Sequence, residues 1–161
     1  LRCFWKDERG YAVKWIVGLV AVIGLLVVGF GLWVRLAPVE LERWHQGAEA
    51  QGMGHIPFAG GHLWRGAMDG AAPEVLARVD EVILATPRTR VIAGSVGEGI
   101  VTYQTRSALW GFPDYTTIRM VEDEAGTEGV EIHSRLRFGG SDMGVNRARM
   151  EDWLEALGQG G

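Results

Sequence analysis

The sequence has a single cysteine, Cys3, and it precedes a long apolar run. The segment beyond the run therefore lacks thiols, which excludes disulfide staples and thiolate chemistry there and leaves the fold to its apolar core. From Leu36 to Gly161, 11 arginines and no lysine stand against 18 Asp plus Glu, a net of −7. Such an acidic head argues against nucleic acid, or an anionic lipid, as the main partner. Phosphate-binding loops and dinucleotide fingerprints are absent, and Ser107, Ser134 and Ser141 sit outside any Gly-x-Ser-x-Gly elbow. The histidines His45, His55, His62 and His133 match no compact ligand spacing, so neither metal nor cofactor is expected.

What is present is an uncharged run of 20 residues, Trp15 to Val34, of which 13 are Val, Leu, Ile or Phe. That is the length a helix needs to cross a bilayer. A signal peptide has a shorter apolar region and a small-residue cleavage site, whereas this run ends in Leu32-Trp33-Val34-Arg35. The run is read as an uncleaved anchor over 15–35, with Trp15 and Trp33 at the two interfaces. Arg2, Lys6, Arg9 and Lys14 precede it, against Asp7 and Glu8. By the positive-inside rule residues 1–14 are then cytoplasmic and the main domain is outside, in the periplasm if the membrane is a bacterial inner membrane. Gly18, Ala21, Gly24, Val28 and Gly31 recur on one helical face, where small side chains let a second membrane helix approach.

Beyond the anchor, residues 36–72 read as a juxtamembrane helix, carrying Leu41, Trp44, His45 and Ala48 on one face, and an irregular Gly-rich connector containing Pro57. Trp44 and Trp64 fall in this stretch and are expected as interface aromatics. Residues 73–157 read as an α+β domain. A helix from Pro73 to about Ala85 leads into a four-stranded antiparallel meander, about 88–95, 99–108, 115–122 and 129–138, and a helix from about Met143 to Leu157 closes it. Turns are expected at 96–98, 111–114 and 123–126, and a flexible tail at 158–161. In the last strand Val130, Ile132, Ser134, Leu136 and Phe138 share the inward face, while Glu131, His133, Arg135 and Arg137 meet solvent or a partner.

The stretch His133-Ser134-Arg135-Leu136-Arg137-Phe138-Gly139-Gly140-Ser141-Asp142-Met143-Gly144-Val145-Asn146-Arg147-Ala148-Arg149 resembles the C-terminal signature of the domain-of-unknown-function family 1499. Ser134, Arg137, Gly139, Ser141, Asp142, Gly144, Asn146, Arg147 and Arg149 match, and Phe112 with Asp114 resembles an earlier aromatic and acidic pair. The resemblance runs over about Pro73 to Leu157. His133 stands where an Arg is common, and the stretch before Pro73 lacks the Cys-containing segment of many members. The family has no assigned reaction, so the resemblance implies no catalytic residue.

The same residues have a physical reading. A glycine turn joins a cationic strand to a helix N-terminus capped by Ser141 or Asp142, so Arg135, Arg137, Ser141, Asn146 and Arg147 are candidates for contact with an anion or partner. Alternatively, Arg137 and Arg147 bond Asp114, Asp142 and loop carbonyls to brace the corner, and Arg149 is a solvated charge. With no catalytic constellation, the chain reads as an accessory subunit of a larger integral membrane complex, held by the lipid bilayer and by its neighbours. The alternatives are a module binding an anionic small molecule or lipid headgroup and, third, a membrane-tethered enzyme.

Overall fold

A computed structural model describes residues 8–49, 52–122, 126 and 128–159. The expectations resting on Arg2, Cys3, Lys6 and Asp7, on the turn Asp123-Glu124-Ala125 and on Gly160-Gly161 lie outside the described residues, as do the side chains of Glu8 and Arg9. The chain divides into two units, 1–37 and 38–161.

The first unit is one helix, α1, Glu8–Leu36. At about 1.5 Å per residue its 29 residues span roughly 43 Å. Over Gly10–Leu36 it is long and apolar enough to cross a membrane. The helix starts before the apolar run because Tyr11-Ala12-Val13-Lys14 contains nothing that breaks it. Ile16, Leu19, Ile23, Leu26 and Phe30 are all exposed along it.

The second unit begins with one helical turn, α2, Leu41–Trp44, shorter than the periodicity predicts. Two strands follow, β1, Gly54–Phe58, and β2, Gly61–Gly66. After the helix α3, Ala72–Leu84, come β3, Thr89–Ser95, a 3-10 turn at Val96–Glu98, then β4, Ile100–Arg106, β5, Pro113–Glu122, β6, Glu128–Leu136, and the helix α4, Val145–Ala156. The sheet is antiparallel throughout in the order β1-β2-β6-β5-β4-β3. It has six strands, which corrects the expected four. The connector proves to be a hairpin: Ala59-Gly60 closes it, and Gly60 takes φ 79° at the turn. Pro57 is tolerated because β1 is an edge strand and owes no amide to a further neighbour. Gly61 must be glycine, since a Cβ there would collide with the Ser134 carbonyl of β6.

Helices α3 and α4 cover one face of the sheet. Their buried Leu76, Val79, Ile83, Met150 and Leu154 pack on Trp64, Val101, Tyr103, Ile118, Val130 and Ile132 from four strands. The α3 stripe falls at helical spacing, and Pro73 opens the helix where no amide partner is needed. Leu136 leaves the inward face of β6 only half-buried, at the end of the strand. The opposite face of the sheet, expected to meet solvent or a partner, is polar and covered: Glu131 is fully buried, and His133 and Arg135 are largely so. Residues 38–49 cross it as a strap. That strap creates the candidate site.

Candidate functional site

Alternation places Arg65 on β2, Arg119 on β5 and Glu131 on β6 side by side on the polar face. Arg65 and Arg119 both pair with the buried Glu131 carboxylate, Arg119 through Nε at 3.0 Å. The same carboxylate accepts the Ala48 amide at 2.8 Å, while the two guanidiniums donate to the Ala48 carbonyl at 3.0 and 3.2 Å. Burial alone raises the carboxyl pKa. The bonds from Arg119, Ala48 and Arg65 overturn that and hold Glu131 below its ordinary value.

A second anchor lies one step along the strap. The Trp44 carbonyl accepts from Thr117 Oγ1 at 2.8 Å and from Arg135 Nη2, and Arg135 also donates to Thr117 at 2.7 Å. The Trp44 ring packs on Tyr115 with centroids 4.3 Å apart, beneath the guanidinium of Arg135. His45 bonds Thr102 at 2.9 Å. Arg137 ties the start of the strap, donating to the Pro38 carbonyl at 2.6 Å and to Tyr115 Oη at 3.1 Å.

Between the strap and the β1–β2 hairpin lies a cavity of about 310 Å³. Ile56, Phe58 and Leu63 form an apolar wall; His133, Arg135 and strap residues 46–49 form the rest. Burial, then the neighbouring Arg135 charge, lowers the His133 pKa to about 4, so its imidazole is neutral near pH 7. Burial lowers Arg135 to about 10, which still leaves it cationic. His133 Nδ1 and Arg135 Nε are buried without a hydrogen-bond partner among the described residues. Unpaired buried nitrogens are costly.

The five residues expected to form one anion or partner site do not meet. Arg135 and Arg137 lie on the polar face, whereas Ser141, Asn146 and Arg147 belong to the loop and helix on the other side of the sheet. Asp142 caps α4, accepting the Asn146 amide at 2.9 Å and the Gly144 amide at 3.2 Å, and these bonds hold its pKa below the usual carboxylate value despite burial. Ser141 accepts the Met143 amide at 3.2 Å. Asn146 is fully buried, and Arg147 pairs at the surface with Glu151 at 2.7 Å. Arg149 is not the solvated charge expected. It reaches Asp114 at 3.1 Å and Asn146 at 3.1 Å, so bracing of the corner falls to Arg149 and Asp142.

Trp44 and Trp64, expected as interface aromatics, are each 7% exposed. One fills the polar face and the other the helix-side core. On α1, a Cβ added at Gly18, Gly24 or Gly31 would meet nothing within 4 Å, so the face they share with Ala21 and Val28 is open. His55 and His62 approach to 3.0 Å across the β1–β2 hairpin on the helix-covered face, whereas His45 and His133 lie on the polar face. Arg65, Arg119, Glu131 and His133 were not selected by sequence reasoning. The alternation of β6 set Glu131 and His133 on one face, read as meeting solvent or a partner, whereas Arg65 on β2 and Arg119 on β5 carried no such signal.

No curated protein matches the chain. The family model described as Protein of unknown function (DUF1499) matches residues 64–157, from within β2 to the end of α4 and more than half the chain. It contains Arg65, Arg119, Glu131, His133 and Arg135, the polar groups that hold the strap and line the cavity, together with the capped corner before α4. The chain belongs to this family of proteins of unknown function.

Proposed function

We propose that the 38–161 unit is a membrane-tethered binding module for a small amphipathic acid. The observation that carries this reading is the cavity of about 310 Å³ with an apolar wall on one side and Arg135 and neutral His133 on the other. Its volume lies near the lower end of ordinary ligand sites, and its mixture of apolar lining with few polar groups is typical of them. A carboxylate is the group that suits a guanidinium next to an imidazole able to donate or accept, and a short alkyl chain suits Ile56, Phe58 and Leu63. The reading is of binding without turnover: among the described residues, nothing beside the cavity forms a nucleophile-and-base pair. It takes α1 as the anchor, with the N-terminus on the cytoplasmic side and the unit outside, periplasmic in an inner membrane.

Titrating the full chain in detergent with hexanoate tests this by calorimetry. Hexanoate is expected to bind, hexanol to bind far more weakly, and the Ile56→Trp variant, whose indole fills the cavity, to lose binding while its circular dichroism is unchanged. Equal binding by the filled variant, or no binding by the native chain, contradicts the reading.

A second reading, an accessory subunit of a larger membrane complex, draws on the open small-residue face of α1. The buried Trp44 and Trp64 no longer support it. Gentle solubilisation tests it: co-migration with an integral membrane complex that Gly24→Leu abolishes supports a subunit, and migration as a free monomer opposes it.

A further inference from the structure

The six strands leave the unit with two unlike ends. At one, β1, β4 and β6 finish and β2, β3 and β5 begin; the chain also joins the unit there, because Pro38 is held by Arg137, one residue past β6. At the other lie the 3-10 turn with Glu98, the facing pair Glu122 and Glu128, and Asp69 and Glu74 around the start of α3.

Exposed apolar side chains gather at the first end. Leu109 is 79% and Trp110 40% exposed in the β4–β5 loop, and Met143 is 91% and Val145 50% exposed where α4 begins. Phe58 and Leu84 end their own elements at the same side. The loop is built, not slack: Ser107 and Gly111 bond each other, Ser107 and Phe112 exchange bonds at 2.9 and 3.0 Å, Arg106 holds the Gly111 carbonyl at 2.8 Å, and Phe112 packs edge-on to Phe138. A loop so braced presents Leu109 and Trp110 outward at the cost of apolar exposure, which marks a contact surface.

We infer that this end rests on the interfacial layer of a phospholipid bilayer, with Leu109 and Trp110 inserted at headgroup depth. The occupant follows from the chain itself. Leu36 ends a helix suited to crossing a bilayer, and Pro38 is only two residues further, a reach of about 7 Å. Trp and Leu suit such a boundary.

The test uses the full chain with Cys3→Ser and a spin-labelled cysteine at Leu109→Cys or Glu98→Cys, in phosphatidylcholine–phosphatidylglycerol vesicles. The label at 109 is expected to collide several-fold more with oxygen than with an aqueous nickel chelate, and the label at 98 to show the reverse. Adding Trp110→Asp is expected to return the 109 label toward the aqueous pattern. A 109 label as open to nickel as the 98 label overturns the inference. So does dipolar broadening between two 109 labels, which would place a second copy on the patch, and so does a chain that fails to float with vesicles.

Discussion

At the scale of single residues, alternation along β6 was enough to place Glu131, His133 and Arg135 on one face, but their partners were out of reach of any local pattern. Arg65 lies 66 residues from Glu131 and the Ala48 amide 83, so the sequence offered only unpaired charges, for which solvent was the natural assignment. The structure makes His133 the residue whose titration matters most. Its folded pKa of about 4 lies below the ordinary imidazole value of 6.5. The unfolded chain therefore binds more protons between these values, and stability present above pH 6.5 is lost as pH falls toward 4. The loss is on the order of 3 kcal/mol at most. Urea unfolding across this pH range, followed by tryptophan fluorescence, is expected to show that decline and a flatter profile for His133→Gln.

Among elements, the strap owes its place to buried charge. Two guanidiniums and one carboxylate are held at the polar face, and each also serves the Ala48 peptide group. Replacing one member strands the others, so Glu131→Gln is expected to cost about 3–5 kcal/mol, far more than a surface ion pair such as Arg147–Glu151. Hydrogen exchange supplies the specific check: the Ala48 amide should lose protection in Glu131→Gln before the core strands do. The meander and both packing helices were legible because β-type runs are separated by clear turn residues and the apolar positions of α3 and α4 fall at helical spacing. The β1–β2 hairpin was not, since Gly52, Gly54, Pro57, Gly60 and Gly61 punctuate ten residues and mask the alternation of Ile56 with His55 and of Leu63 with Trp64. Without that hairpin the cavity has no apolar wall, and so the site was not visible either.

For the whole molecule, the later part of the recognisable C-terminal signature builds a corner, through Asp142 and Arg149, while its first residues, His133 and Arg135, line the cavity on the opposite face of the sheet. The tether and the cavity then belong to one account, in which a membrane-held module takes up an amphipathic acid close to the bilayer. A ligand that binds only the folded state must raise its stability, by about 2.7 kcal/mol at a concentration of 100 times Kd. The most direct measurement is thermal unfolding of the full chain in detergent, with and without hexanoate. The account predicts that hexanoate raises Tm in the native chain and not in Ile56→Trp; an unchanged Tm in the native chain, or an equal rise in the filled variant, would contradict it.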